Sequence, residues 1–371
     1  MHYVFLIHGS GDFAPGWSMP HTQLLQNAAL EHSGKSEMEL TDTTQYVEVN
    51  YQHVLNERLN SIVAGGETLG KFNEWLIRIA ESRARRAEGI NIEEEFTIGK
   101  KLAALNNGFL LDTLVYTRNP ETVNHILLTV AEQILKVVAD SPRRSRFSFL
   151  GHGLGTKVVF DFLHRLYMPD DAPALPRTAH APSTPFSVSS SGAPSRHSMR
   201  VNNLYLLSNV APLMCLLDHT NYDMNRSHVR IFNDKIFPVQ DGVVRSNYRI
   251  FNNKIDPIAQ IGRSNSVKAA VCSDQVQMSY AGQFWMHDLK SYVEHPKVCL
   301  SMVEDVHNCH IDAKDDIAKT YNDTHQAKQI AEGISIAFAE KIKADADAGR
   351  FGERDVFISF MKSLSERFVR T

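Results

Sequence analysis

A glycine-rich turn at 151–155, with the sequence Gly-His-Gly-Leu-Gly, separates an apolar strand-like run from an amphipathic helical pattern. Strand, glycine turn and helix together are typical of a GxSxG nucleophile elbow, in which the outer glycines permit a sharp bend and the central serine attacks an acyl carbon. Gly151 and Gly155 are in place, with His152 between them and the centre of the turn, but the central residue is Gly153. The sequence therefore predicts an elbow backbone without its hydroxyl nucleophile.

A second glycine turn, His8-Gly9-Ser10-Gly11, follows the first apolar run of the chain. Acyl-transfer sites stabilise the tetrahedral oxyanion with two backbone N–H groups, one from the residue after the nucleophile and one from such a loop. We expect the N–H of Leu154 to pair with that of Ser10 or Gly11. An ordinary glycine turn is the alternative interpretation.

The acid and the base of a triad are expected downstream of the elbow, in the order nucleophile, acid, histidine. Asp256 directly follows a strand-like run, at a loop position from which its carboxylate would orient a histidine. A role at a turn or a helix cap is the alternative for Asp256, and Asp241 and Asp234 are reserves. His287 is predicted to act as general base toward the nucleophile and as general acid toward the leaving group. His295 and His310 are the alternatives.

No cofactor is predicted. The residues His307, His310 and Asp312 have a loosely metal-like spacing, but a third ligand at a defined position is lacking, so a solvated acidic loop is favoured there. The four cysteines show no CxxC spacing, and we expect free thiols and no metal site.

Three interpretations of Gly153 remain open. In the first, Gly153 replaces the serine of an ester hydrolase. In the second, the glycine is natural in a noncatalytic protein that binds a lipid or an acyl ligand. In the third, His287 activates a water molecule in the space that the serine side chain would occupy. Ser10 and Thr156 are not expected to substitute as nucleophiles, because one lies in the predicted oxyanion loop and the other faces away on the elbow helix. Sequence alone does not choose among the three.

These residues require a scaffold of alternating strands and helices. Short apolar runs predict strands at 3–7, 45–51, 146–150, 203–207 and 248–251, and Asn119-Pro120 begins a strongly amphipathic helix. Such alternation favours a doubly wound, mainly parallel α/β sheet.

A single domain over residues 1–315 is predicted to carry two insertions. One is a helical cap at about 55–115, and the other is a flexible stretch rich in proline and serine at about 169–200. Residues 316–371 are expected to form helices that pack on the same domain.

Composition limits the partners. With 371 residues and a net charge of −3, the interleaved charges offer no field for nucleic acid, so a small ester or lipid molecule is the expected ligand. No run reaches the ~20 apolar residues of a membrane span and no Sec signal is visible, which favours a cytoplasmic protein. Export by a signal-less route and the oligomeric state stay open.

Taken together, the elbow, the opening His-Gly loop and the Asp256 and His287 positions resemble bacterial α/β-hydrolases of the lipase/esterase type, over roughly residues 1 to 300. The resemblance also includes Tyr51, Tyr116 before Asn119-Pro120, and Tyr292. It implies ester or lipid hydrolysis through an acyl-enzyme at position 153. Gly153 departs from that pattern, and the resemblance implies a poor serine hydrolase for the chain as it stands.

Overall fold

The computed structural model describes residues 1–63, 112, 113, 115–117, 119–142, 144–167, 201–211, 214, 247–253, 274–278 and 289–325. Its strands are β1 (His2–Ile7), β2 (Thr44–Val49), β3 (Arg146–His152), β4 (Val201–Leu207), β5 (Asn247–Asn253) and β6 (Asp274–Met278). Its helices are α1 (Met19–His32), α2 (Glu37–Thr43), α3 (Gln52–Val63), α4 (Pro120–Asp140), α5 (Leu154–Tyr167), α6 (Leu289–Glu294), α7 (Pro296–His307) and α8 (Lys314–His325).

The strands form one six-stranded sheet in the order β2-β1-β3-β4-β5-β6, and every neighbouring pair is parallel. The prediction of a mainly parallel α/β sheet is confirmed. The expected strands at 3–7, 45–51, 146–150, 203–207 and 248–251 correspond to β1 to β5, whereas β6 was not predicted. Its sequence, Asp-Gln-Val-Gln-Met, has too few apolar residues to stand out as a buried strand.

Helices cover both faces of the sheet. One face presents Tyr3, Phe5 and Ile7 of β1 to a core shared with α3, α4 and α5, while the alternate residues Val4 and Leu6 face α7. The main core on the second face is formed with α1, α6 and α7. β1 is buried along its whole length, because a parallel strand in the centre of such a sandwich is covered on both sides.

Helix α4 begins where the sequence predicts. Asn119 caps it by accepting a hydrogen bond from the Thr122 N–H at 2.9 Å, and Pro120 occupies the first turn, where a missing N–H costs nothing. Among the described helices, α4 is long and apolar enough to cross a membrane by length and composition. Its apolar face packs against β2, α3 and α5, as the core helix of an α/β layer does.

The predicted insertions lie largely outside the described residues. Of the expected cap at 55–115, the structure describes the end of α3 and a few helical residues from 112 onward. The proline- and serine-rich stretch at 169–200 lies wholly outside them, and so do the residues after 325.

Candidate functional site

A crevice is expected where β1 and β3 lie side by side. From β1 the chain proceeds to β2 on one side, and from β3 it proceeds to β4 on the other, so the two connections diverge. Ligands of open α/β sheets bind at such a switch point, outside the carboxyl ends of the strands. Ile7 pairs with Gly151, so the loop after β1 and the elbow after β3 leave the sheet at the same level.

The elbow turns at Gly153, whose φ is +51°. That left-handed conformation is costly for a residue with a Cβ, and a serine held there in a GxSxG turn is strained. The Gly153 N–H donates to the Leu207 carbonyl at 3.0 Å, and the Gly153 carbonyl accepts from the Thr156 N–H and hydroxyl at 3.0 and 2.7 Å. The peptide groups on both sides of position 153 are thereby fixed.

Close backbone contacts join the elbow to β1. A Cβ on Gly155 would lie 2.3 Å from the His8 carbonyl oxygen and 2.5 Å from that of Ile7. A Cβ on Gly9 would lie 2.9 Å from the His152 carbonyl oxygen, and one on Gly151 would lie 2.8 Å from the Gly155 carbonyl oxygen. The glycines are thus required by packing, and they bring the two loops into direct contact.

Leu154 is the first residue of α5 and is fully buried. The first N–H groups of a helix have no acceptor within the helix, and the helix dipole favours negative charge beside them. The predicted oxyanion donor of the elbow is therefore placed at a site that would attract an anionic oxygen. His152 is also buried, with its ring edge-on to Tyr292 at a centroid distance of 5.9 Å.

His8 is a structural residue of the β1 loop. Its Nδ1–H donates to the Gly9 carbonyl at 2.8 Å, and its Nε2 accepts the Tyr51 N–H at 3.2 Å, which together define a neutral tautomer. The ring is stacked between Phe13 and Tyr51, and burial lowers the pKa of His8 to about 4. The imidazole stays uncharged at neutral pH and stiffens the loop.

Glu48 holds the far end of the same loop. Its carboxylate accepts hydrogen bonds from the Gly16 N–H at 2.8 Å and from the Ser18 N–H and hydroxyl at 2.9 Å. These donors lie at the start of α1, where a negative charge is favoured by the helix dipole. The loop between β1 and α1 is therefore anchored to β2.

Ser10 and Gly11, the other predicted donors, meet an acidic neighbour. The Gly11 N–H donates to Oδ2 of Asp112 at 3.2 Å, so one predicted oxyanion donor is engaged in this structure. The buried Ser10 hydroxyl has no hydrogen-bond partner of ordinary geometry among the described residues, although it lies near enough to Asp112 to lower the pKa of that carboxyl. Burial outweighs both effects and raises the pKa of Asp112 to about 7.

The predicted acid and base, Asp256 and His287, lie outside the described residues, as do the reserves Asp234 and Asp241. In sequence, Asp256 comes three positions after β5 and His287 two positions before α6. Since β5 and β6 run parallel to β3, segments that follow them leave the sheet at the edge that carries the elbow.

The alternative histidines have other functions. His295 precedes α7 and is buried, and its Nδ1 accepts the Lys297 N–H at 3.2 Å as a helix cap. The His310 side chain is 82% exposed and lies 3.2 Å from Glu304 and 3.1 Å from Asp312. His310 follows the end of α7, where the Val306 carbonyl accepts a hydrogen bond from His2 at the amino edge of the sheet. Thr156 also has a structural function, because its hydroxyl donates to Gly153 and accepts from Val210.

Metal ligands are not gathered in the part of the chain that the structure describes, where no three His, Cys, Asp or Glu side chains form a group able to hold an ion. His307 is buried in the fold and His310 is largely exposed, so the two do not converge on one point.

Asp112 and Glu48 were not singled out from the sequence. The available signal for Asp112 was a carboxylate inside the apolar run Leu110-Leu111-Asp112-Thr113-Leu114-Val115. A charged residue within such a run is rarely buried unless it has partners, and buried carboxyls with raised pKa values concentrate at functional sites. Comparison of the chain with protein-family models, with curated proteins and with solved structures gave no match.

Proposed function

We propose that this chain carries the acyl-transfer site of an α/β-hydrolase of the lipase/esterase type, with Gly153 in the position of the nucleophile. One observation carries the proposal. A left-handed residue sits in a tight turn between β3 and α5, at the switch point and in contact with the loop after β1. That geometry is the one an elbow needs to present a nucleophile beside an oxyanion site.

Backbone groups would supply the electrostatic stabilisation. The Leu154 N–H at the start of α5 and an N–H of Ser10 or Gly11 would bind the oxygen of a carboxylic ester as it becomes an oxyanion. Asp256 would orient His287, which would remove the proton from the nucleophile and deliver it to the leaving alcohol. No step in this scheme draws on a metal or an organic cofactor.

Gly153 limits what the chain does as it stands. Removal of a nucleophile lowers turnover by about 10⁶, while binding and the oxyanion site retain about 10³ to 10⁴ over water. The chain is therefore expected to bind an acyl ester without forming an acyl-enzyme, and an ester hydrolase is expected when a serine is restored.

The test compares three proteins on p-nitrophenyl esters of several acyl lengths: the unaltered chain, Gly153→Ser and Gly153→Ala. The alanine variant introduces the strained Cβ without the hydroxyl, and it controls for any effect of backbone strain. We expect Gly153→Ser alone to gain at least about 10³ in turnover, and to lose that gain when His287→Ala or Asp256→Ala is added. Equal rates for the serine and alanine variants would contradict the proposal.

A second function is supported by Gly153 itself. Glycine removes the strain that a side chain would suffer at φ +51°, so the chain suits a noncatalytic protein that retains the crevice for a lipid or acyl ligand. Tight binding of a fatty acid by the unaltered chain, with no gain of turnover in Gly153→Ser, would favour this function. Slow hydrolysis by the unaltered chain that resists phosphonates and needs His287 would instead indicate an activated water.

A further inference from the structure

A short helical segment contacts both sides of the crevice. Asp112 accepts the Gly11 N–H of the loop after β1 at 3.2 Å. Four residues later, the Tyr116 hydroxyl donates at 2.9 Å to Oδ2 of Asp161 on α5. The segment around 112–116 is therefore bonded to the predicted oxyanion loop at one end and to the elbow helix at the other.

The Asp161 carboxylate on α5, which accepts the hydrogen bond from Tyr116, is held in place by an ion pair. Lys157 Nζ lies 2.6 and 2.8 Å from the two oxygens of Asp161, and the side chains are 5% and 15% exposed. Because charge-assisted hydrogen bonds are stronger than neutral ones, this pair fixes the carboxylate that receives Tyr116. The elbow helix thus holds the segment in place and leaves Asp112 to contact the loop.

Asp112 combines deep burial with weak hydrogen bonding. It is 2% exposed, its hydrogen bond of ordinary geometry among the described residues comes from the Gly11 N–H at 3.2 Å, and the Ser10 hydroxyl lies close to it. A buried carboxylate with few donors is costly to keep ionised. Buried carboxyls in such surroundings concentrate at functional sites.

We propose that Asp112 is a positioning residue of the candidate site, which holds the loop after β1 through the Gly11 N–H when ionised and releases that N–H to a ligand oxygen when protonated or displaced. The inference rests on the proposed function for the identity of the ligand, an ester whose carbonyl oxygen becomes negative or the carboxylate of the acid product. Both would compete with Asp112 for the same N–H, and an anionic ligand would meet a like charge until Asp112 accepts a proton.

The other groups around Asp112 keep one charge state near neutral pH. Tyr51, after β2, is the titratable neighbour whose pKa Asp112 affects, and burial first and then this carboxylate raise the Tyr51 pKa well above its usual range. His8 at the end of β1 has a pKa lowered to about 4 by burial. The loop after β1 places the Gly11 amide and the Ser10 hydroxyl next to Asp112. Helix α5 carries the Lys157–Asp161 ion pair, which Tyr116 connects to the segment that holds Asp112. Of Asp112, Tyr51 and His8, only Asp112 has a pKa between about 5.5 and about 8.5, so its ionisation is expected to change the charge at the loop in that range.

The Gly11 amide itself reports the contact in the unaltered chain. Labelling with serine ¹³C-carbonyl and glycine ¹⁵N selects the Ser-Gly pairs of the sequence, which are 10–11, 33–34 and 191–192. Gly34→Ala and Gly192→Ala remove the second and third signals and identify that of Gly11. The Gly34 amide, in the loop after α1 where nothing lies within 4 Å of an added Cβ, is the internal control.

We expect the chemical shift of the Gly11 amide to change between about pH 5.5 and about pH 8.5, with a midpoint near pH 7. In Asp112→Asn this chemical shift should not change with pH. The Gly34 signal should not follow the Gly11 titration in either protein. A flat Gly11 signal in the unaltered chain, or an unchanged titration in Asp112→Asn, would overturn the proposal. The first result needs no variant at position 112, so misfolding of Asp112→Asn would not obscure it.

A kinetic measurement separates this inference from the proposed function. In the Gly153→Ser background, kcat/KM should rise with pH as His287 loses its proton and fall as Asp112 ionises. Adding Asp112→Asn should remove the fall and leave the rise, because an amide keeps the shape of the carboxyl but does not titrate. If Gly153→Ser hydrolyses no ester, the proposed function fails, and the Gly11 titration alone decides whether Asp112 holds the loop.

Discussion

The two edges of the parallel sheet use buried polar groups in different ways. At the amino edge, a directional chain of hydrogen bonds crosses four strands. Asn247 donates to Asn203 at 3.2 Å, Asn203 donates to the Ser148 hydroxyl at 3.0 Å, and that hydroxyl lies 2.7 Å from Nε2 of His2. His2 in turn donates from Nδ1 to the Val306 carbonyl at 3.1 Å, so each donor in the chain has an acceptor.

Arg249 continues the pattern on the same face of the sheet. Its guanidinium contacts both oxygens of Asp305 on α7 at 2.7 and 2.8 Å, and Tyr205 donates to the same carboxylate at 3.2 Å. Burial lowers the pKa of His2 to about 3, so this imidazole is uncharged near neutral pH, and Arg249 is paired with Asp305.

At the carboxyl edge, glycines and backbone groups dominate instead. Gly153 is left-handed, Gly155 packs against the Ile7 and His8 carbonyl groups, and the Gly11 N–H contacts the buried carboxyl of Asp112. Among the described residues, connected hydrogen bonds span the amino edge, although the Thr44 hydroxyl and the His307 ring near it have no hydrogen-bond partner. The two edges therefore differ in how their polar groups are connected, and not in whether every group is satisfied. Substitutions at the first edge should change stability alone, and those at the second should also change ligand chemistry.

The largest loss of stability is expected from Asp305→Ala at the amino edge. The change removes the carboxylate from a guanidinium that is 11% exposed, and breaking one side of such a buried pair costs about 3–5 kcal/mol. Urea unfolding measures it. As a control, Arg249→Met combined with Asp305→Leu should be far less destabilising, because no charge is left buried. A loss below about 1 kcal/mol in Asp305→Ala would contradict this account of the edge.

Gly155→Ala should cost about 3 kcal/mol, since its Cβ would lie 2.5 Å from the Ile7 carbonyl oxygen and closer still to that of His8, and the backbone would have to shift. Gly34→Ala is the matched control. Gly34 has a φ of +69° and nothing within 4 Å of its added Cβ, so it should lose only the roughly 1 kcal/mol of left-handed strain. Equal losses in the two variants would mean that the elbow does not pack against β1 as described.

Asp112 should make stability fall as pH rises. Its folded pKa of about 7 lies above its ordinary value of 3.8, so the contribution of the protonated form is complete below that ordinary value and is lost as pH rises through the folded pKa. Between pH 5 and pH 8 the unaltered chain should lose on the order of 2–3 kcal/mol relative to Asp112→Asn. Thermal unfolding of both proteins at the two pH values measures the difference, and parallel pH profiles would show that Asp112 is not buried.

The smallest effect is expected from Ser148→Ala, which interrupts the polar chain of the amino edge at its centre. Asn203 and His2 would each lose a buried partner, at a cost of about 1–3 kcal/mol. Ser145→Ala, at an exposed hydroxyl just before β3, should stay within about 0.5 kcal/mol of the unaltered chain. If the two variants unfold at the same urea concentration, the hydrogen-bond chain does not contribute to stability.

Local patterns explain what the sequence could predict. The helix at Pro120–Asp140 is predictable from its N-cap residue, its proline in the first turn and its helical period of apolar residues. Strand β1 is predictable from its unbroken apolar run. The turn between β3 and α5 could be located because strand, turn and helix are contiguous in the chain. Each of these signals lies within about twenty residues, where periodicity and turn chemistry are informative.

Contacts between distant segments explain what the sequence could not predict. Asp112 meets Gly11 across 101 positions, and Glu48 on β2 reaches Gly16 and Ser18 across the helices α1 and α2. Ser148 lies between two phenylalanines in β3, and from the sequence alone it only interrupts an apolar strand. Its hydrogen-bond partners, His2 on β1 and Asn203 on β4, are far away in the chain. Strand β6 was not predicted because its polar residues resemble those of a loop. It is a strand because it pairs with β5.

The most direct test of the elbow is labelling with a fluorophosphonate, followed by intact mass and by peptide mapping. We predict that the unaltered chain and Gly153→Ala stay unlabelled, while Gly153→Ser gains one phosphonyl group at position 153 and loses it on addition of His287→Ala. Labelling at another residue, or no labelling of Gly153→Ser while the protein remains folded, would contradict the claim that the turn between β3 and α5 is a nucleophile elbow.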